Sequence, residues 1–178
     1  KYLRIIAVNR YDEQKNPELL IDIALLLKGN LPFRINVIGV GERFSSCKKK
    51  IKELQLDDVI SLDGPTDMPR EKFRDANVFL STSRWEGMPL AVLEAMSEGL
   101  PVVLSDVVGN RDIVKDNVSG LLYDVEDATA AADAIKKLNC PSFRRRLGEG
   151  ARLRVEERYS DQRMFEETAE LYRKVVRG

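Results

Sequence analysis

The sequence predicts an α/β domain built on a single Rossmann-like, doubly wound parallel sheet of about six strands, with helices on both faces. Two observations lead there. Short apolar runs rich in β-branched residues alternate with longer stretches of helical spacing, and that alternation implies right-handed strand–helix–strand crossovers. The short runs are close to continuously apolar, as strands covered on both faces are. No internal repeat, low-complexity tract or linker breaks the order. Residues 1–178 therefore read as one domain, C-terminal helices over 142–178 included.

The elements follow in turn. "YLRIIAV" (2–8) reads as the first strand, and "PELLIDIALLLKG" (17–29) as a helix. Pro17 suits its first turn, where a missing N–H costs nothing, and Gly29 suits its end. "FRINVIG" (33–39) is the second strand and "RFSSCKKKIKEL" (43–54) the next helix. "DVISLDG" (58–64) and "NVFLST" (77–82) are strands either side of a short helix, "PREKFRDA" (69–76). "PLAVLEAMSEG" (89–99) is a helix with Pro89 in its first turn and Gly99 at its end. "PVVLSD" (101–106) and "SGLLYDV" (119–125) complete the sheet, and helices over 126–138, 142–157 and 161–176 close the chain. The apolar Met164, Phe165, Leu171 and Val175 of the last helix are expected to cover the domain's own core.

Composition narrows the classes. Hydrophobic residues are 43% of the 178, and charged residues 33%, which describes a globular chain with a sizeable core. Formal net charge is zero, so the average field favours neither nucleic acid nor an anionic membrane. The runs "CKKKIK" (47–52) and "RRR" (144–146) read as solvated helix faces. Two cysteines, Cys47 and Cys140, make no disulfide framework and fit a reduced, cytoplasmic compartment. The absence of histidine excludes a Ser-His-Asp triad, a Cys-His pair and any His-ligated metal within this chain. The longest apolar stretch, "LLIDIALLL", is too short to span a membrane and is interrupted by Asp22. The chain begins at Lys1 without a signal peptide and reads as a piece of something longer.

In such sheets ligands bind at the carboxyl ends of the strands. The loop after the first strand, "NRYDEQKN" (9–16), has no glycine, whereas a dinucleotide fold needs its glycine-rich turn there. The one Gly-x-Gly, Gly39 to Gly41, follows the second strand, and Phe44 stands where a third glycine belongs. Nicotinamide and flavin readings are therefore weak, and no Walker A pattern occurs. The first loop offers Arg10 and Lys15 instead, beside a helix N-terminus that already favours anions. Two cations there suit a diphosphate; the plain alternative is solvated charges paired with Asp12 or Glu13.

After the fourth strand comes "SRWEGMPLAVLEAM" (83–96), with Glu86 and Glu94 eight residues apart. Gly87 permits close approach to the backbone. The amides of Gly87, Met88, Leu90 and Ala91 are candidate orphan donors for sugar hydroxyls or phosphate oxygens. Glu94, further along the same helix, could accept from the vicinal hydroxyls of a ribose. On local chemistry alone, two ordinary helical acids explain the pattern as well.

The longer block "FLSTSRWEGMPLAVLEAMSEGLPVVLSDVVGNRDIV", with "NVSGLLYDVED", "NRYDEQKNPELLIDIA" and "VIGVGE", resembles the C-terminal, donor-binding domain of group 1 (family GT4) retaining glycosyltransferases of the GT-B fold. The resemblance covers essentially the whole chain. It implies that Arg10 and Lys15 neutralise the donor diphosphate as the sugar leaves. It implies that Glu86 faces the sugar hydroxyls, that Gly87, Met88, Pro89 and Leu90 give backbone bonds to sugar and β-phosphate, and that Glu94 holds the ribose. Gly39 and Gly41, with the loop over 63–66, would border the base. The implied substrate is an NDP-sugar such as a UDP- or GDP-sugar, used without a metal or other cofactor, in cell-surface polysaccharide or glycolipid synthesis. The implied partner is an N-terminal acceptor-binding domain, through which alone a membrane would be met, at its inner face. The chain by itself would bind donor but turn over weakly or not at all. Two positions depart from the family: Asn9 stands where glycine is common, and Val40 where an acid is common. A left-handed turn at Asn9 would preserve the family's geometry. The readings that remain beside this one are a GT-B-fold sugar-nucleotide epimerase or phosphorylase, and a non-catalytic nucleotide-binding module.

Overall fold

A computed structural model describes residues 2–66 and 69–177 of the protein. The strands are β1 (Leu3–Val8), β2 (Phe33–Ile38), β3 (Ile60–Asp63), β4 (Val78–Ser81), β5 (Val102–Ser105) and β6 (Leu121–Tyr123). The helices are α1 (Pro17–Leu27), α2 (Phe44–Glu53), α3 (Pro69–Asp75), α4 (Leu90–Ser97), α5 (Val108–Ile113), α6 (Ala128–Lys137), α7 (Pro141–Arg158) and α8 (Asp161–Arg177).

All six strands are parallel and lie in the order β3-β2-β1-β4-β5-β6. The chain runs outward from β1 to β3, then returns to the other side of β1 and runs outward again. The order therefore reverses between β1 and β4, which creates a crevice at their carboxyl ends. Side chains alternate across the sheet. Ile5 and Ala7 of β1 enter the core under α1, α2 and α6, with Leu20, Ile23, Leu27, Ile51 and Ile135. Ile6 and Val8 enter the opposite core with Phe79, Val92, Met96 and Ile113, under α3, α4 and α7. Apart from Ala7 and the half-buried Val8, each of these side chains is nearly free of solvent and contributes roughly 1.5–3 kcal/mol by leaving water.

Three features differ from the sequence reading. A short helix, α5, follows β5 where no element is expected; its six residues include Gly109 and Asn110, poor helix formers, and packing overrides their propensity. Pro89 sits at the N-cap of α4 rather than within its first turn. Its carbonyl accepts the first α4 bonds, from Val92 and Leu93. The third concerns α8. Phe165, Leu171 and Val175 are 73%, 63% and 71% exposed, so they do not cover the core; the side chain of Met164 lies outside the described residues. Periodicity reveals that a helix has an apolar side, not which surface that side meets. Among the described residues, no helix is long and apolar enough to cross a membrane.

Candidate donor site at the switch point

The loops after β1 and β4 are stitched together across the switch point. Thr82 Oγ1 lies 2.7 and 3.0 Å from the carbonyl oxygens of Lys15 and Asn16 and shares its one hydrogen between them. Gln14 Nε2 donates to the Trp85 carbonyl at 3.0 Å, and the Arg84 amide donates back to the Gln14 carbonyl at 2.8 Å. The Arg84 guanidinium also reaches the Glu13 carbonyl and pairs with Glu126. Asn16, at φ 45°, turns the chain into α1 through the left-handed region that asparagine tolerates. The first loop is thereby held with Lys15 facing Glu86.

Lys15 Nζ lies 2.5 Å from Glu86 Oε1, and Ser83 Oγ donates to that same oxygen at 2.7 Å. The Glu86 side chain is only 6% exposed and that of Lys15 20%, so this is a largely desolvated pair. An ammonium has three donors and this contact uses one. Lys15 can therefore hold Glu86 and still offer hydrogens to an anion. Arg10 is placed differently. Its side chain is 66% exposed, and the guanidinium folds back onto Asp12 at 3.1 Å and Gln14 at 2.9 Å. An exposed pair of that kind is worth about 0–1 kcal/mol, so Arg10 can leave Asp12 at little cost.

Beyond Glu86 the chain bends into α4. Among the described residues, no group accepts from the amides of Gly87, Met88, Leu90 or Ala91. These are the free donors expected at a helix N-terminus, with the positive end of the helix dipole behind them. Their backbone is braced by α5. A Cβ on Gly109 would stand 2.6 Å from the Glu86 carbonyl oxygen and closer still to that of Gly87, so only glycine lets α5 lie there. The glycines after β2 do similar work. A Cβ on Gly39, whose φ is +151°, would run into the Asn9 carbonyl, and one on Gly41 would stand 2.5 Å from the Tyr11 nitrogen. The β1–β2 pairing thus continues past the strands, through Asn9 N to Ile38 O and Tyr11 N to Val40 O. Asn9 joins that ladder without entering the left-handed region, so no left-handed turn compensates for the missing glycine. Among the described residues its buried Nδ2 has no partner.

A hollow of about 330 Å³ opens between the loops after β1, β2 and β3, lined by Asn9, Arg10, Lys15, Gly39, Val40 and Thr66. Gly41 does not line it. A second, of about 650 Å³, lies between α4, α7 and α8 and is lined by Met88, Leu90, Glu94 and Ser97 together with Tyr159 and Glu167. The structure therefore joins Arg10, Lys15 and Gly39 on one side and Met88, Leu90 and Glu94 on the other, with the Lys15–Glu86 pair linking the two loops. The Glu94 carboxylate has no side-chain partner among the described residues. A further hollow, of about 300 Å³, is lined by Arg74, Glu98, Pro101 and Arg144. It lies by the amino end of β5, away from these loops.

Sequence reading missed Ser81, Thr82, Ser83, Ser105 and Gly109. Hydroxyls at a strand end carry no periodic signal, and Gly109 follows an apparently ordinary loop. Tyr123 OH donates to the Ser81 carbonyl at 2.8 Å, and burial pushes its phenol well above the usual range, as it does for Tyr11. Both rings serve as fixed donors rather than titrating groups.

Comparison with known proteins places this geometry in a family. Residues 1–154 match the family described as glycosyl transferases group 1. A poly(ribitol-phosphate) alpha-N-acetylglucosaminyltransferase of Staphylococcus aureus (strain COL) is 30% identical over 168 residues, 93% of this chain and 34% of that protein. A lipopolysaccharide 1,6-galactosyltransferase of Escherichia coli (strain K12) is 32% identical over 133 residues, 72% of this chain and 36% of that protein. This chain thus spans about a third of the length of both relatives. Among solved structures, a mutant of S. aureus TarM in complex with fondaparinux, alpha-GlcNAc-glycerol and UDP superposes with a TM-score of 0.89 at 27% identity, over 97% of this chain and 36% of that one. Sucrose-phosphate synthase from Thermosynechococcus elongatus does so with a TM-score of 0.89 at 26% identity, over 99% and 46%. The parallel sheet, the paired loops at its switch point and the match over residues 1–154 agree: the chain belongs to the group 1 glycosyl transferases and has the architecture of one half of a GT-B enzyme.

Proposed function

We propose that this chain is the nucleotide-sugar-binding half of a retaining glycosyltransferase that moves a glycosyl group from an NDP-sugar to an acceptor in surface polysaccharide or glycolipid synthesis. The observation that carries the reading is the Lys15–Glu86 pair beside the free amides that open α4. A leaving diphosphate gains negative charge as the glycosyl bond breaks. Fixed donors aimed at that charge lower the barrier without reorganising. Lys15 keeps two hydrogens for it, Arg10 reaches it by leaving Asp12, and the amides from Gly87 to Ala91 supply neutral donors. Glu86 accepts from sugar hydroxyls, and Glu94 accepts from the ribose. Arg10, Lys15 and the α4 dipole take the electrostatic part that a divalent cation plays elsewhere. UDP in the related TarM complex supports a nucleoside diphosphate ligand. The acceptor site, and with it the compartment and any membrane contact, belongs to a further domain of the kind that the longer relatives have room for.

Isothermal titration of the chain with UDP, GDP, UDP-glucose and GDP-mannose, with and without EDTA, tests the reading. The expected result is micromolar to millimolar binding to one nucleotide series, unchanged by EDTA. No heat from any of the four ligands at millimolar concentration overturns it.

A further inference from the structure

We propose that Ser83 is a positioning residue that decides which oxygen of Glu86 is offered to the donor sugar, an inference that rests on the reading of Glu86 as the sugar-facing acid. Two donors converge on one atom: Lys15 Nζ and Ser83 Oγ both bond to Glu86 Oε1. Among the described residues nothing is paired with Oε2. A carboxylate only accepts, and a hydroxyl has one hydrogen to give. The hydrogen of Ser83 is therefore committed to Glu86. The 3.1 Å contact between Ser81 Oγ and Ser83 Oγ must then run with Ser81 as the donor. The hydroxyls form a directed chain, Ser81 to Ser83 to Glu86.

The surroundings leave that chain little freedom. Ser83 is 1% exposed, so no bulk water competes for its hydroxyl. Ser105 Oγ donates to the Ser83 carbonyl at 2.5 Å, Asn110 Nδ2 donates to the Ser105 carbonyl at 2.9 Å, and Tyr123 OH holds the Ser81 carbonyl. A carboxylate turns in a broad, two-fold torsional well. An ammonium alone, attracting both oxygens, leaves that turn free. The second, directional donor removes the freedom by saturating Oε1. Oε2 is left as the acceptor for a hydroxyl of the transferred sugar. The nucleotide does not use this oxygen, so the effect of Ser83 belongs to the glycosyl part alone.

Titration with UDP and UDP-glucose of the wild type, Ser83→Ala, Ser81→Ala, Glu86→Gln and the Ser83→Ala/Glu86→Gln double variant reads this out. Ser83→Ala is expected to weaken UDP-glucose about tenfold and UDP less than about twofold, the scale of one hydrogen bond to a charged group. Ser81→Ala is expected to act in the same direction, more weakly. In the Glu86→Gln background Ser83→Ala is expected to add less than about twofold. Equal losses for both ligands, or an undiminished loss in that background, overturns the proposal. Ligand-free crystal structures of the wild type and Ser83→Ala provide a readout independent of binding. The Glu86 carboxylate is expected to turn away from its wild-type position, and an unchanged carboxylate overturns the proposal. If the wild type binds neither ligand, the donor reading fails, and the structures alone decide the role of Ser83.

Discussion

Lys15 and Glu86 are 71 residues apart in the chain and 2.5 Å apart in the fold. One follows β1 and the other follows β4, and the sheet makes those strands neighbours by reversing its order between them. The pair is enclosed enough to matter energetically.

Breaking the pair from the cationic side leaves a nearly buried carboxylate with one neutral donor. Removing one partner of a fully buried pair costs about 3–5 kcal/mol. Lys15 keeps some solvent exposure and Ser83 still donates, so Lys15→Ala is expected to cost about 2 kcal/mol. Glu86→Gln keeps an acceptor for both donors and costs less. Urea denaturation measures both, and a wild-type midpoint for Lys15→Ala would show that the pair contributes nothing.

The two glutamates are expected to separate by ligand. Glu94→Gln weakens UDP and UDP-glucose alike, by about tenfold, because the ribose is common to both. Glu86→Gln weakens UDP-glucose and leaves UDP within about twofold. Titration calorimetry distinguishes them, and equal losses for both ligands in both variants contradict the division of roles.

Gly109→Ala places a methyl group against the carbonyls of Glu86 and Gly87. Either α5 withdraws or the Glu86–Gly87 backbone moves. Overpacking of this kind costs about 1–3 kcal/mol. The expected outcome is a lower melting temperature together with weakened UDP-glucose binding. Among the described residues, Gly87→Ala meets no atom within 4 Å beyond its chain neighbours and serves as the control, with near-wild-type stability. Indistinguishable melting curves for the two variants argue against close bracing by α5.

The two cysteines are expected to react at very different rates. The hydroxyl of Ser142 lies 3.3 Å from the Cys140 sulfur and holds its thiol below the usual range, whereas burial pushes Cys47 up to about 11. The thiolate is the nucleophile. Lowering a thiol's pKa enlarges the thiolate fraction at neutral pH, and raising it nearly abolishes that fraction. Cys140, exposed, is therefore expected to take iodoacetamide first at pH 7, and Cys47 only on unfolding. Mass spectrometry of the alkylated chain checks the order. Ser142→Ala is expected to slow Cys140 at that pH, and an unchanged rate removes the hydroxyl as the cause.

The alternation of apolar strands and helices was legible because both periods are local: β1 and α1 follow from residues 3–27 without knowledge of the rest. Strand order and the Lys15–Glu86 contact depend on crossover connections that no local pattern encodes. Helix α5 was illegible because its six residues are helical by packing rather than by propensity. The apolar side of α8 was legible as a stripe, but its exposure was not, since burial is a relation between two surfaces.

By itself, then, the sequence determined the α/β class, the element order apart from α5, and the residue types at the strand ends, because propensity and hydrophobic period act over a few neighbouring residues. Only the tertiary structure decided that Lys15 and Ser83 share one oxygen of Glu86, that Arg10 folds back on Asp12, and that Glu94 opens onto a different hollow. Those are directional contacts between groups far apart in the chain. Their geometry exists only once the sheet has brought β1 and β4 side by side.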